Sequence, residues 1–144
     1  MEANKVLVPV NGGRVDQDTL RMACTLVKGG KGKVYVVYVI QVKRALPLDA
    51  EIEPETGKGE EVLKRAERVA LEMDCDIETD LLQAREVGPA IVDEAVERGV
   101  DLIVMGMPYK KRFGDFDLGS AVPYVLKNAP CQVLLWREQI GEEA

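Results

Sequence analysis

Lys5-Val6-Leu7-Val8-Pro9-Val10 runs into Asn11-Gly12-Gly13, and this stretch decides the fold. Its apolar residues are continuous from Val6 to Val10 instead of alternating with polar ones. A strand with one wet face alternates, whereas a strand covered on both faces does not, so the run predicts a central strand of a parallel sheet. The Asn-Gly-Gly that follows marks a tight turn.

Working outward, Leu20, Ala23, Cys24 and Val27 fall at i, i+3, i+4, i+7 and predict a helix over 16–28. Val34-Tyr35-Val36-Val37-Tyr38-Val39-Ile40 is a second buried strand, rich in β-branched and aromatic residues. Residues 41–59 contain Pro47, Pro54 and Gly57 without a clear period and read as a loop. A helical stripe returns over 60–73, and Ile77 to Ala84 reads as a third strand. Gly88-Pro89 opens the next helix, with proline expected at its first position, and Gly99 stops it. Val100 to Met105 is a fourth strand, followed by a polar loop over 107–118. Gly119-Ser120 starts a last helix with Ser120 as its N-cap; Cys131 to Trp136 is a fifth strand, and 137–144 an acidic tail.

Strands alternating with helices predict an α/β domain spanning 1–144, with an open parallel five-stranded sheet and helices on both faces. Ligands of such sheets sit beyond the carboxyl ends of the strands, where the strand order reverses. If strands one and four are neighbours there, the turns at Asn11-Gly12-Gly13 and at Gly106 face one crevice. The amino end of the last helix closes it.

Composition narrows the chemistry. The 144 residues include no histidine, which removes Ser-His-Asp and Cys-His nucleophiles, an imidazole base and histidine metal ligands. Nothing resembles a general base beside a nucleophile, so no dedicated catalyst is expected. The net charge of -6 opposes non-specific nucleic-acid binding. Cys24, Cys75 and Cys131 share no metal-site spacing and read as free thiols in a reducing, cytoplasmic setting. The apolar run near the amino end is too short for a signal peptide or a membrane span.

Gly106, a loop, and Gly119-Ser120 at a helix start have the character of a phosphate cradle, in which glycine admits close backbone approach and free N–H groups meet the anion. By spacing alone the pattern reads first as a βα loop with a glycine turn and a serine cap. Asp16 and Asp18 read as N-cap and first-turn acids. Asp115 and Asp117 have the chemistry to hold Mg²⁺ beside a phosphate.

Three stretches resemble the universal stress protein family: Lys5 to Gly13, Asp101-Leu102-Ile103-Val104-Met105-Gly106, and Leu118-Gly119-Ser120-Ala121-Val122 with Asn128-Ala129-Pro130-Cys131 and Val133-Leu134-Leu135. The resemblance runs from Lys5 to Trp136. It implies a Rossmann-like, adenine nucleotide alpha hydrolase-like fold and a regulatory module of the stress response, binding ATP or another adenine nucleotide with little or no turnover. By resemblance, Pro9, Asn11, Val39, Gly106, Gly119, Ser120, Ala121 and Val122 occupy the nucleotide site. Gly106 and Gly119 keep the spacing of the binders, but their middle glycine is Tyr109 here, their acid after the first strand is Asn11, and Pro108 stands where many have histidine. Lys110 and Arg112 read either as phosphate ligands or as part of a solvated charge run. The resemblance also implies a homodimer paired through the last strand, Val133, Leu134, Leu135 and Trp136. A nucleotide-free, dimeric interaction module is the alternative that Tyr109 favours.

Overall fold

A computed structural model of the chain describes residues 3–27, 32–108, 111–112, 115–116 and 120–139. In chain order the elements are β1 (Lys5–Val10), α1 (Asp16–Leu26), β2 (Lys33–Gln41), α2 (Glu55–Glu72), β3 (Ile77–Ala84) and α3 (Val87–Arg98). There follow β4 (Leu102–Met107), the short β5 (Lys111–Arg112) and β6 (Asp115–Phe116), α4 (Ala121–Asn128) and β7 (Gln132–Arg137). Five strands form a parallel sheet in the order β3-β2-β1-β4-β7, and β5 pairs antiparallel with β6. The fold is the expected open α/β sheet, with β1 and β4 adjacent where the order reverses.

The continuous apolar runs divide by parity. Val6, Val8, Val34, Val36, Tyr38, Leu102 and Val104 pack under α1 and α2, with Leu20, Ala23, Val62, Ala66 and Val69. Leu7, Val37, Ile103 and Met105 pack under α3 and α4, with Ile91, Ala95, Val122 and Val125. Successive residues of a strand point to opposite faces, so an unbroken apolar run serves both layers. At the base of the sheet Asp101 accepts from the amides of Asn4 at 3.0 Å and Lys5 at 3.1 Å, tying β4 to β1.

Away from the centre, α3 meets the sheet through charge. Arg98 lies over the Tyr35 ring at 4.9 Å and pairs with Glu94 at 2.9 Å, Glu78 at 2.6 Å and Asp80. Hydrogen bonding to Glu94 leads the causes that hold its guanidinium above the ordinary value. With the side chain 29% exposed, solvent screens this network.

Several expected boundaries move, each for a packing reason. The 41–59 loop is shorter, because α2 starts at Glu55 and includes Gly57 and Gly59. Gly59 is a contact point, since a Cβ there would stand 2.5 Å from Leu81 Cδ1 and 2.8 Å from Tyr38 Cδ1. Pro89 sits third in α3, behind Val87 and Gly88, still within the turn whose N–H groups have no helical partner. Gly99 does end that helix, with φ of 65°. β4 runs two residues past Met105, to Met107, paired with β7 to its end.

The free-thiol reading fails for two cysteines. Cys24 of α1 is joined in a disulfide to Cys75, with Cα atoms 5.8 Å apart across 51 residues of sequence. Asp74, with φ of 54°, turns the chain after α2 and brings Cys75 back against α1. Cys131 is the free cysteine and is half-buried. The acidic tail is not wholly solvated either: Glu138 is 5% exposed, pairs with Arg14, and donates its amide to Met107 O at 2.9 Å.

Candidate functional site

β1 and β4 part company early. Their last partner pair is Leu7 with Ile103, while β1 stays with β2 as far as Val10 and Tyr38. Pro9, a residue with no N–H to give a ladder, falls in the stretch where β4 has left. Past that point lies a crevice of about 350 Å³ on the α3 and α4 side of the sheet. That volume is within the range of small-molecule sites.

Its walls are largely apolar: Pro9 and Val10 from β1, Val37 and Val39 from β2, Val87 and Ile91 from α3, Met105 and Met107 from β4, Val122 from α4. Asn11, Asp16 and Ser120 supply polar side chains, and Gly106, Pro108 and Ala121 complete the lining. Thus Pro9, Asn11, Val39, Gly106, Ser120, Ala121 and Val122 of the expected set meet in one cavity. Tyr109, Lys110 and Gly119 lie outside the described residues, as does Asp117, and Arg112 falls in β5 with its side chain outside them.

The two ends of the crevice differ in the donors they offer. At the β1 end, Gly12 adopts φ of 91°, a conformation that favours glycine. Its amide donates to Asp16 Oδ2 at 2.8 Å, and that of Asn11 to Asp16 Oδ1 at 3.4 Å. The Gly13 amide donates to Asn11 Oδ1 at 2.8 Å, and a Cβ on residue 13 would stand 2.9 Å from that oxygen. Three successive amides are therefore satisfied within the turn. This turn is no anion cradle.

At the α4 end the reverse holds. Ser120 is the N-cap residue but makes no side-chain cap hydrogen bond, which corrects the capping role expected of it. The first turn of α4 carries no acid. The amides of Ser120, Ala121 and Val122 belong to the turn that a helix leaves without internal acceptors, and Pro123 has no N–H. An anion is held at such an end.

Asp16 is not the N-cap of α1 either; that position is Val15, and Asp16 is the first helical residue. Burial pushes its carboxyl above the ordinary carboxylate range, opposed by the Gly12 and Asn11 amides and by Arg65. Gly106 has a reason of its own, since a Cβ there would meet Thr19 and Val15 of α1. Among the described residues no cluster of three His, Cys, Asp or Glu side chains is placed to hold a metal ion. Nor is any helix among them long and apolar enough to cross a membrane.

Val37, Val87, Ile91, Met105 and Met107 are lining residues that sequence reasoning missed. Apolar residues in strands read as core, and the only available signal was Val37 preceding Val39 by two, on the same strand face.

The model of the Universal stress protein family matches residues 2–137. A universal stress protein of Methanocaldococcus jannaschii is 32% identical over 137 residues, covering 91% of this chain and 80% of that protein. The structure is similar to that of a universal stress protein from Archaeoglobus fulgidus, with TM-score 0.72, 25% identity and 94% of each chain covered. It is also similar to a universal stress protein from Archaeoglobus fulgidus in complex with dAMP, with TM-score 0.73 and 23% identity, covering 94% of this chain and 98% of that one.

Proposed function

The chain belongs to the universal stress protein family, and from that premise we propose that it is a regulatory module whose crevice binds an adenine nucleotide, ATP, ADP or AMP, with little or no turnover. The observation that carries the reading is the polarity of the crevice. An apolar slot between Pro9, Val37, Val39, Ile91 and Met105 suits a flat, weakly solvated base. The uncapped start of α4 suits phosphate, while the β1 turn has its amides already satisfied and Asp16 beside it. A nucleotide then lies with its base toward β1 and β2 and its phosphates toward Ser120. The dAMP carried by the Archaeoglobus protein supports the ligand class.

Calorimetric titration with ATP, ADP and AMP, with and without Mg²⁺, tests the reading. Saturable binding is expected. No heat and no thermal shift at millimolar nucleotide would refute it.

A second reading rests on the edge strand. Val133, Leu134, Leu135 and Trp136 of β7 are half-buried on the strand that closes one edge of the sheet. An apolar edge of this kind favours pairing with a second copy. On this reading the protein is a homodimer through β7, with or without nucleotide. Sedimentation velocity at tens of micromolar should give a dimer, and Leu134→Lys a monomer.

A further inference from the structure

The carboxylate of Asp16 stands on the wall between two cavities. It lines the crevice just described, and it also lines a groove of about 380 Å³ between α1 and α2. That groove has an apolar floor, with Leu20 and Val62 buried, and Arg14, Gln17 and Arg65 also line it. What Asp16 does to the wall itself is better defined. One oxygen accepts from Gly12 and the other from Asn11, so a single side chain fixes two consecutive amides. Its backbone is fixed in turn, because Gly13 O accepts its amide at 3.2 Å and its own carbonyl accepts from Thr19 Oγ1 at 3.0 Å. Asn11 stands on the turn so held, with its Oδ1 committed to Gly13, which leaves its Nδ2 group to offer to an occupant.

We infer that Asp16 is the positioning residue of the crevice: ionised, it holds the Asn11-Gly12 turn in its ligand-ready shape, and nucleotide affinity follows its ionisation. The inference rests on the nucleotide reading above and deepens it. The ionised form has two acceptors for two donors. Protonation, or replacement by Asn, turns one acceptor into a donor facing a backbone N–H, and the turn loses a support. The charged groups facing this turn are Arg65 and Lys58 from α2, Arg14 from its own segment, and Glu138 through Arg14. The adjoining ends of β1 and β4 contribute no titratable side chain. Burial raises the Asp16 carboxyl from its ordinary value, against the Gly12 and Asn11 amides and Arg65.

The test compares wild type, Asp16→Asn and Asp18→Asn, the last making the same charge change two residues along. AMP affinity is measured by calorimetry from pH 7.5 downward. The ratio of wild-type to variant affinity is read at each pH, so that the titration of the ligand's own phosphate cancels. At pH 7.5 Asp16→Asn should bind about tenfold more weakly, the scale of one hydrogen bond to a charged group. The ratio should close toward one as Asp16 protonates, and Asp18→Asn should follow wild type throughout. In parallel, the amide resonances of Gly12 and Asn11 should titrate together in the free wild-type protein, and not in Asp16→Asn. Equal AMP affinity for wild type and Asp16→Asn would overturn the inference and leave the nucleotide reading standing. Absence of AMP binding by wild type overturns the nucleotide reading, and Gly12 and Asn11 amides that do not titrate overturn the Asp16 inference independently.

Discussion

A Cβ placed on Gly106 would stand 2.7 Å from Thr19 Cγ2, with Val15 Cγ2 at 2.9 Å. The end of β4 and the first turn of α1 thus touch at the one residue that has no side chain. Gly106→Ala should cost about 1–3 kcal/mol by overpacking, read from urea denaturation. Adding Thr19→Ser, which removes the facing methyl and keeps the hydroxyl, should restore part of that loss. A Gly106→Ala protein as stable as wild type would show that α1 yields at no cost.

Ser120 separates a structural serine from a ligand-facing one. A capping serine replaced by alanine costs about 1 kcal/mol. Because Ser120 makes no cap hydrogen bond, Ser120→Ala should change stability by no more than about 0.5 kcal/mol. Nucleotide affinity should fall about two- to tenfold, the worth of one neutral hydrogen bond. Comparing thermal denaturation with calorimetry on one preparation decides it, and the opposite pattern would restore the capping role.

The Cys24–Cys75 disulfide closes a loop across 51 residues of sequence. In the chain-entropy account a crosslink of that span contributes about 4 kcal/mol. The doubly substituted Cys24→Ser, Cys75→Ser protein should lose stability on that scale, and reductant should then have no further effect on it. Without reductant, alkylation mapped by mass spectrometry should find Cys131 alone. That reaction should be slow at neutral pH and quicken at higher pH, since burial raises the thiol and keeps it protonated.

Asp16 also leaves a mark on stability with a definite sign. Its folded-state pKa is raised above the value it has unfolded. Between the two the native state binds more protons than the unfolded chain, so this residue's contribution to stability increases as pH falls through the raised value. Wild type should therefore gain stability relative to Asp16→Asn on acidification, until pH reaches the unfolded carboxylate range. A difference between the two proteins that is flat in pH, by denaturant titration, would mean that the carboxyl is not desolvated.

What could be read from the chain and what could not follows from the range of the interactions. Val6 to Val10 and Val34 to Ile40 announce themselves because burial on two faces leaves an unbroken apolar run. The alternation of elements gives the parallel sheet, whereas the adjacency of β1 and β4 entered only as a condition and is seen in the strand order. Gly57 and Gly59 mislead, because a glycine that ends a helix and one that lets a helix approach Tyr38 and Leu81 look alike in sequence. The pairing of Cys24 with Cys75 depends on how α1 and the turn at Asp74 meet, which no local spacing encodes. Among site residues, Pro9, Asn11 and Ser120 were legible as turn and helix-start chemistry and by family resemblance. Val37, Ile91 and Met105 were hidden among core-like neighbours. Asp16 was legible as a helix-start acid but not as the holder of two amides, which needs the φ of Gly12.

The bonds between Asp101 and the start of β1 have a consequence in time. Asp101 follows Lys5 by 96 residues, and chains leave the ribosome at roughly 5–20 residues per second. β1, the middle of the finished sheet, is thus synthesised about 5–20 s before the partner for its second edge exists. During that interval β2 can shelter one side, and the other side is an open strand edge of Val6, Leu7 and Val8. Newly made chains pass through a stage in which the middle strand of the mature sheet is an edge strand.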